Sequence, residues 1–436
     1  MMLQGRVFAV TGFRDMPLSV FLRPARFFVV VFLFCSFAAR VVLSAGEASL
    51  DSLVSVAREN NYEIIAARER WNAARAKAAQ ERVWDNPRLI LEYWSIPEGG
   101  LDFGAAPEKM YGISQMIPFP GKLRIKGRAA GSQAEAMKWE YRYIELKVTA
   151  GLKTAYAMYY YLHKSIETYR QSAEIMNSFS AVAQSRYIAG QAAQGDVIRS
   201  QVEAEKMSNM VITLEQEKEA VEAELRRLTG NGSGSKPGYP AENPVRIVAM
   251  NWDKIKAAVK ASPEIQKAGA NEGMAMWNHK SALMEYLPDF DVSLRRKTMD
   301  GQWAGSDVMV AAAVPLWFWR QSSGVKNMAA ELRAARAEKK DMELMAEAKA
   351  REYFTKADTA RRLVELYESG VIPKSEQALA VAQAAFVVGR SGYLEVLDTV
   401  RAYIDAGLER HGYVADYIKN TAMLEWLTGI DFSVED

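Results

Sequence analysis

Alternating apolar and polar positions mark short segments that occur in pairs in both halves of the chain. In the second half, Phe290, Val292 and Leu294 alternate with polar residues, and Val308, Val310, Ala312 and Val314 alternate with Asp307, Met309, Ala311 and Ala313. Period-two alternation is what a β-sheet needs when only one of its faces is apolar. In the first half, turn-forming prolines and glycines bound two comparable segments. The pattern therefore predicts four strands, at about residues 88–96, 110–117, 289–297 and 306–315.

Very long helices are predicted for most of the remaining chain. Leu50 to Trp84 is rich in helix-forming Ala, Arg and Glu, and almost nothing between Gly121 and Ala189 interrupts a helix. At about 1.5 Å per residue the second stretch would be about 100 Å long, more than a globular domain can hold. In the second half, the Gly and Pro within residues 369–373 should break or kink the long helix.

The later helices carry the apolar seam of a coiled coil, because apolar residues recur at steps of three and four. The seam residues are Val211, Leu214, Val221, Leu225 and Leu228 in the first half, and Val400, Tyr403, Ile404, Val414, Tyr417, Ile418 and Leu424 in the second.

The two halves also repeat one another in sequence. Leu225 to Gly230 returns as Leu424 to Gly429, 199 residues later, and several other short matches follow in order at nearly the same shift. Each half then reads as helix, two strands, very long helix, turn and long helix. This divides the chain into a signal segment at 1–45, a first repeat at 46–230, a linker at 231–244, a second repeat at 245–430 and a tail at 431–436.

The front of the chain has the features of an export signal. Arg23 and Arg26 precede an apolar run from Phe27 to Ala39, which is too short to span a bilayer. The cleavage site stays open. Cys35 would be the acylated residue of a lipoprotein, but Phe34 stands where such a signal wants a small residue.

Charge and motif content argue against several functions. The formal net charge is +2, and acidic and basic residues are interspersed, which is typical of solvated helix faces rather than of a nucleic-acid binder. The sequence has no P-loop and no catalytic constellation, so we predict a protein that is not an enzyme, has no cofactor and takes energy from a partner.

A resident metal site is not predicted either. The histidines His163, His279 and His411 are far apart and fall on predicted helices, where structural roles are commoner than ligation. Thioethers suit soft ions such as Cu(I), and the four methionines that are candidates for binding such an ion are close in sequence. Packing between helices is the simpler account of them. They are Met207, Met210, Met274 and Met276.

The strands pose a physical problem if they lie in a membrane. An open sheet edge cannot sit in lipid, and four strands are too few to close a barrel. The chain would then have to oligomerise, with its helices extending into the periplasm. A pair of water-soluble hairpins on a helical protein is the alternative that the strands alone leave open.

Three groups of residues together resemble outer-membrane efflux proteins of the TolC family. They are Asn86-Pro87 with Ser114 to Lys122, Arg186 to Gly190 with Asp196-Val197, and Gly389 with Glu395 to Asp398. The resemblance implies an α+β membrane protein with two structural repeats. It implies a homotrimer in the outer membrane of a Gram-negative bacterium, in which each chain gives four strands to a twelve-stranded β-barrel. The long coiled-coil helices would form an α-helical periplasmic tunnel.

The resemblance also implies partners and a function. A periplasmic adaptor and an inner-membrane pump of the RND type would join the chain in a tripartite efflux system, in contact with outer-membrane lipid. The chain would be the passive exit duct. Leu366 to Pro373 is similar to the heavy-metal branch that includes CzcC and CusC, which suggests metal cations as cargo. A duct for type I secretion and a soluble periplasmic coiled-coil scaffold or adaptor remain alternatives.

Particular residues at the two turns between long helices acquire roles from the resemblance. Asp196, Glu395, Asp398 and Arg390 would form a periplasmic gate, because carboxylates brought together by symmetry repel and attract cations. Capping of the following helix is an equal account of Asp196. Phe386 and Ser391 depart from the family pattern, so the sequence does not specify which contacts would hold the gate closed. The predicted adaptor contacts are Gly190, Gln191, Gly389 and Arg390.

Overall fold

The computed structural model describes residues 49–96, 103, 106–231, 238–241 and 246–432. The predicted signal segment, Cys35, and most of the predicted linker and tail lie outside these residues. The described helices and strands follow in an order that is the same in both halves: α1 Leu50–Asn60, α2 Tyr62–Gln80, β1 Arg88–Trp94, β2 Glu108–Ile117, α3 Lys122–Ile188, α4 Gln194–Leu228, α5 Trp252–Val259, α6 Pro263–Met284, β3 Asp289–Met299, β4 Gln302–Ala313, α7 Phe318–Leu366, α8 Ile372–Val387 and α9 Tyr393–Thr428.

The four strands form one antiparallel sheet in the order β1-β2-β3-β4. Strand β2 of the first half pairs with β3 of the second, with Ile113 opposite Leu294. Strands β1 and β4 are the edges. The α+β fold with a four-stranded sheet and long helices is therefore as predicted, although strand ends differ from the prediction by up to four residues.

The prediction of one helix from Leu50 to Trp84 is wrong. The chain turns at Asn61, whose side chain accepts hydrogen bonds from the backbone N–H groups of Glu63 and Ile64 at 2.9 and 3.2 Å. Its amide also donates to the Leu228 carbonyl at 2.8 Å. This capping starts a second helix at Tyr62. Ser262 caps α6 in the same way in the second half, accepting from the Ile265 N–H.

The predicted break near residues 369–373 is also corrected. The chain stays helical from α7 into α8 through a π-helical turn at Tyr367–Val371. The Ile372 N–H donates to the Tyr367 carbonyl, five residues back. The wider turn takes up Pro373, which lacks a donor, without ending the helix.

The apolar seams of the sequence are the core between the helices. Leu225 and Leu228 pack with Ile64 and α3, and Leu424 and Leu427 pack in the corresponding place with Ile265 and α7. A third cluster joins α3, α4, α8 and α9 near the two inter-helix turns. Most seam residues are buried, as expected, and Val211, Val221 and Tyr403 are partly buried.

Helix α3 has 67 residues, which corresponds to a length of about 100 Å. In the described part of the chain, every helix lacks the combined length and apolarity that crossing a bilayer would require.

Candidate functional site

The two turns between long helices, here called the tips, have the same backbone geometry. Gly190 follows α3 with φ 68°, and Gly389 follows α8 with φ 78°. In each tip the glycine N–H bonds three residues back, to Tyr187 in the first and Phe386 in the second, and the next N–H bonds five residues back. This is a glycine C-cap, and the positive φ explains why glycine stands at both positions.

Arg186 ties the two tips together. Its Nη1 donates to the Phe386 carbonyl at 3.2 Å, and its guanidinium lies 5.2 Å from the centre of the Phe386 ring. Its Nη2 also reaches the carbonyl of Gln191 at 3.5 Å. Phe386 packs edge-on against Phe179. Arg186 belongs to the first tip motif, but the sequence indicated no role for it, because its partner is 200 residues away.

A second link joins α4 to α9. Glu203 pairs with Lys206 at 2.9 Å on its own helix and with Arg401 at 3.2 Å on the other. Burial by itself would raise the pKa of Glu203, but the hydrogen bonds and charges of these two cations outweigh it, so the pKa is lowered. The sequence analysis did not single out this pair.

Tyr393 begins α9 and lies in the tip core. Its side chain is 3% exposed, and its hydroxyl has no hydrogen-bond partner among the described residues. Burial first, and then the nearby charge of Glu203, raises the pKa of Tyr393 to about 12. Phe386 stands where a tyrosine is common in the family pattern, and nothing in the local sequence indicated a role for Tyr393 seven residues later.

The predicted gate residues occupy the start of the helices that leave the tips. Asp196 lies in the first turn of α4 and is partly buried, whereas Glu395 and Asp398 on α9 and Arg390 in the second tip are exposed. In the described part of the chain, none of the three carboxylates forms an ion pair with another residue. The role of these residues as a gate stays a prediction.

The capping account of Asp196 is wrong. Helix α4 begins at Gln194, its N-cap is Ala193, and no side chain caps it. Asp196 stands in the first turn, where a negative charge is favoured by the helix dipole. The predicted adaptor contacts Gly190, Gln191, Gly389 and Arg390 are all exposed, and their role also stays a prediction.

Two partly buried histidines have structural partners. His411 Nδ1 lies 3.0 Å from the Tyr160 hydroxyl, and the His163 ring packs edge-on against Tyr159. Burial first, and then nearby cations, lowers the pKa of each histidine to about 4. Both are therefore neutral at pH 7. Met207 is packed in the tip core, as the sequence analysis favoured. Among the described residues, no group of three or more His, Cys, Asp and Glu side chains is placed to share a metal ion.

The sheet has two chemically different faces. Direct cross-strand partners share a face, and successive residues alternate. Leu89, Ile113, Leu294 and Val308 therefore form one row across all four strands, with 76%, 49%, 54% and 70% of their surfaces exposed. We call this side the apolar face; its large apolar members include Leu89, Leu91, Tyr111, Ile113, Val292, Leu294, Val308 and Val310. It also carries two cations, Lys109 and Arg296.

The opposite side, here called the polar face, carries charged residues. Lys297 pairs with Glu108 at 2.9 Å, and Arg295 lies 3.9 Å from Glu92. The remaining charged members of this face are Arg88, Asp289, Asp291 and Asp307. An exposed apolar face of this size is costly in water and typical of contact with lipid or protein.

Exposed aromatic residues stand where the sheet meets the helices. Trp317, Phe318 and Trp319 follow β4 directly and are each about 60% exposed. Aromatic side chains of this kind are enriched at the edges of the apolar band in membrane-embedded sheets.

Comparison with known families identifies the protein class. Residues 53–231 match the family model described as outer membrane efflux protein. The match covers the first repeat of the chain, and the family it identifies there is that of outer membrane efflux proteins. No curated protein matches the chain significantly.

Solved structures of this family share the fold of the chain. The outer membrane protein VceC from Vibrio cholerae is 18% identical, with a TM-score of 0.73 over 88% of this chain and 96% of that one. CusC is 14% identical, with a TM-score of 0.77 over 88% and 92%. The MtrE outer membrane channel of Neisseria gonorrhoeae is 16% identical, with a TM-score of 0.72 over 89% and 91%.

The family match over the first repeat and the fold shared by the whole chain indicate the class and location of the protein. It is an efflux channel component and not an enzyme. It lies in the outer membrane of a Gram-negative bacterium, with its helical part in the periplasm.

Proposed function

We propose that the chain is the exit duct of a tripartite efflux system, in which three copies form a barrel and tunnel that meet a periplasmic adaptor and an inner-membrane pump. The observation that carries the proposal is the sheet: one face is apolar and exposed, the other is charged, and the sheet continues into helices far longer than a globular domain needs. A water-soluble scaffold would have no use for the exposed apolar row of Leu89, Ile113, Leu294 and Val308.

The free edges of the sheet account for assembly. Strands β1 and β4 each have a neighbour on one side only. In lipid their outer N–H and C=O groups need partners, which an identical copy supplies when β4 of one chain pairs with β1 of the next. Closure with three copies gives a barrel whose apolar face is outside and whose polar face lines the interior.

The tips account for closure of the periplasmic end. They hold a compact core, and Asp196, Glu395, Asp398 and Arg390 lie at or near its surface, where symmetry-related copies can meet. Acidic side chains repeated around an axis would narrow the opening and attract cations. The exposed tip residues Gly190, Gln191, Gly389 and Arg390 would contact the adaptor.

A strain lacking the gene tests the proposal directly. Its growth is compared with that of the complemented strain on copper, silver, zinc, cadmium and cobalt salts, and on dyes, bile salts and antibiotics. Loss of tolerance to any class, restored by the gene, supports an efflux duct, and loss confined to metal salts supports heavy-metal cations as cargo.

Two further outcomes separate the alternatives. Normal tolerance to every compound together with loss of a secreted protein from the medium would favour type I secretion. Recovery of the wild-type chain in the soluble periplasmic fraction, without a trimer in the outer membrane, would overturn the duct in favour of a scaffold.

A further inference from the structure

The polar face of the sheet carries an unexpected kind of residue. Strands β1 to β4, which the structure describes in full, contain four methionines, and the register puts all of them on the polar face and none on the apolar face. Met116, Met299 and Met309 are 36%, 42% and 40% exposed. Methionine is apolar and would suit the opposite face, where most of the large apolar residues of the sheet are found. The four are Met110, Met116, Met299 and Met309.

Each of these methionines has a carboxylate beside it on the same face. Glu92 is the direct cross-strand partner of Met110, Asp291 that of Met116, and Glu108 that of Met299. Side chains opposite each other in this way have Cβ atoms about 5 Å apart. Asp307 precedes Met309 by two residues and therefore shares its face.

Two of the methionines are placed to act together. Met110 faces Lys297 and Met299 faces Glu108, so the two methionines are diagonal neighbours on adjacent strands. Diagonal positions are about 7–8 Å apart at the backbone, within reach of two long side chains that converge on one ion. At Met309 the sulfur already accepts a hydrogen bond from Arg295 Nη2 at 3.6 Å, which shows that a thioether here is open to a polar partner.

The charges of the face leave an excess of acid. Lys297 offsets Glu108, and Arg295 lies near Glu92, while Asp291 and Asp307 form no ion pair with any described residue. Asp289 pairs with Lys122 of α3 at 2.9 Å. Arg88 is the remaining cation of the face, so apart from Asp289 four carboxylates stand against three cations. Carboxylates attract any cation over a distance, whereas thioethers favour soft ones such as Cu(I) over hard ones such as Mg²⁺.

From this pairing we propose that the polar face of the sheet is a path for soft monovalent metal cations, with Met110, Met116, Met299 and Met309 as successive thioether contacts. The inference rests on the proposed function, because the polar face lines a passage only if the sheet closes into a barrel. Thioethers bind weakly and flexibly, and a conduit needs sites that hold an ion briefly and release it to the next.

The test replaces the four methionines by leucine in the full-length protein purified in detergent. Leucine keeps the volume and apolarity of methionine and removes the sulfur, so packing is preserved. A matched control changes Met158, Met210, Met274 and Met345 to leucine; these lie on helices, and three of them are 41%, 40% and 44% exposed. Binding of Ag⁺ is measured by calorimetry in chloride-free buffer.

We expect the sheet variant to bind Ag⁺ at least about tenfold more weakly than the wild type, and the helix control to bind as the wild type does. Equal binding by the wild type and the sheet variant would overturn the inference, as would an equal loss in the helix control. In cells, the sheet variant should lower tolerance to silver and leave tolerance to dyes and bile salts unchanged.

Failure of the inference and failure of the proposed function look different. If the sheet variant restores full silver tolerance to a strain that needs the gene for tolerance, the metal path is overturned and the proposed duct still stands. A wild-type gene that restores tolerance to nothing counts against the duct, and the Ag⁺ titration then still decides whether the methionines bind the ion.

Discussion

Arg186 of the first tip donates a hydrogen bond to the backbone carbonyl of Phe386 in the second tip, over 3.2 Å, and covers the Phe386 ring with its guanidinium. In the sequence repeat, Arg186 corresponds to the residue directly before Phe386. A side chain of the first tip is therefore bonded to the backbone at nearly the same place in the second tip. If one tip moves, either this contact breaks or the other tip moves with it.

Replacement of Arg186 by Met should loosen the tips. The long apolar stem remains, but the charged hydrogen bond, worth about 1.5–3 kcal/mol, is lost. We expect a higher open probability of the purified protein in planar bilayers and greater entry of large antibiotics into cells.

The matched control is Met at Arg333, an exposed arginine of α7. Wild-type conductance in the Arg186 variant would show that the link does not hold the tips closed.

Glycine at the first tip should be required for its backbone conformation and not for space. Gly190 has φ 68°, and a Cβ there would meet nothing within 4 Å. Gly190→Ala should therefore cost about 1–2 kcal/mol through strain alone. Gly195→Ala is the control, because Gly195 lies in the first turn of α4 with equally open space. Thermal unfolding of both variants measures the difference, and equal melting temperatures would contradict the strain argument.

The two faces of β4 should respond oppositely to charge. Val310 lies on the apolar face and Ala311, its neighbour, on the polar face; both are exposed in the single chain. Val310→Arg should reduce the amount of assembled protein in the outer membrane, because an arginine facing mid-bilayer costs about 2–4 kcal/mol. Ala311→Arg should assemble normally. The measurement is the heat-sensitive trimer band in isolated outer membranes, and similar yields would argue against a lipid-facing row.

Stability should fall as the pH falls from about 6.5 to about 4. His163 and His411 have pKa values lowered to about 4 by burial, below the ordinary value of 6.5, so in this window the unfolded state binds more protons than the folded state. The free energy of unfolding then decreases as the solution is acidified.

The His411→Gln variant should lose less stability than the wild type between pH 7 and pH 5, by about 1 kcal/mol. Unfolding by denaturant at both pH values measures this. Parallel losses in the two proteins would mean that His411 does not resist protonation.

The sequence by itself determined the order of elements and the faces of the sheet. Alternation in residues 290–294 and 308–314 is a local property that a strand must place on alternate sides. The seams around Leu225 and Leu424 likewise specify which side of each helix is buried. The N-cap formed by Asn61 and the π-helical turn at Tyr367–Val371 were not predicted. Each depends on hydrogen bonds that the surrounding backbone of the folded protein makes available.

Only the tertiary structure decided how the tips are held. Arg186 with Phe386 and Glu203 with Arg401 join residues about 200 positions apart, and no local pattern indicates such pairs. The same applies to the polar face, where Met110, Met116 and Met299 gain their carboxylate neighbours through the pairing of β1 with β2 and β2 with β3. Periodicity records the environment of each residue, whereas partners far along the chain are set by the packing of whole helices and strands.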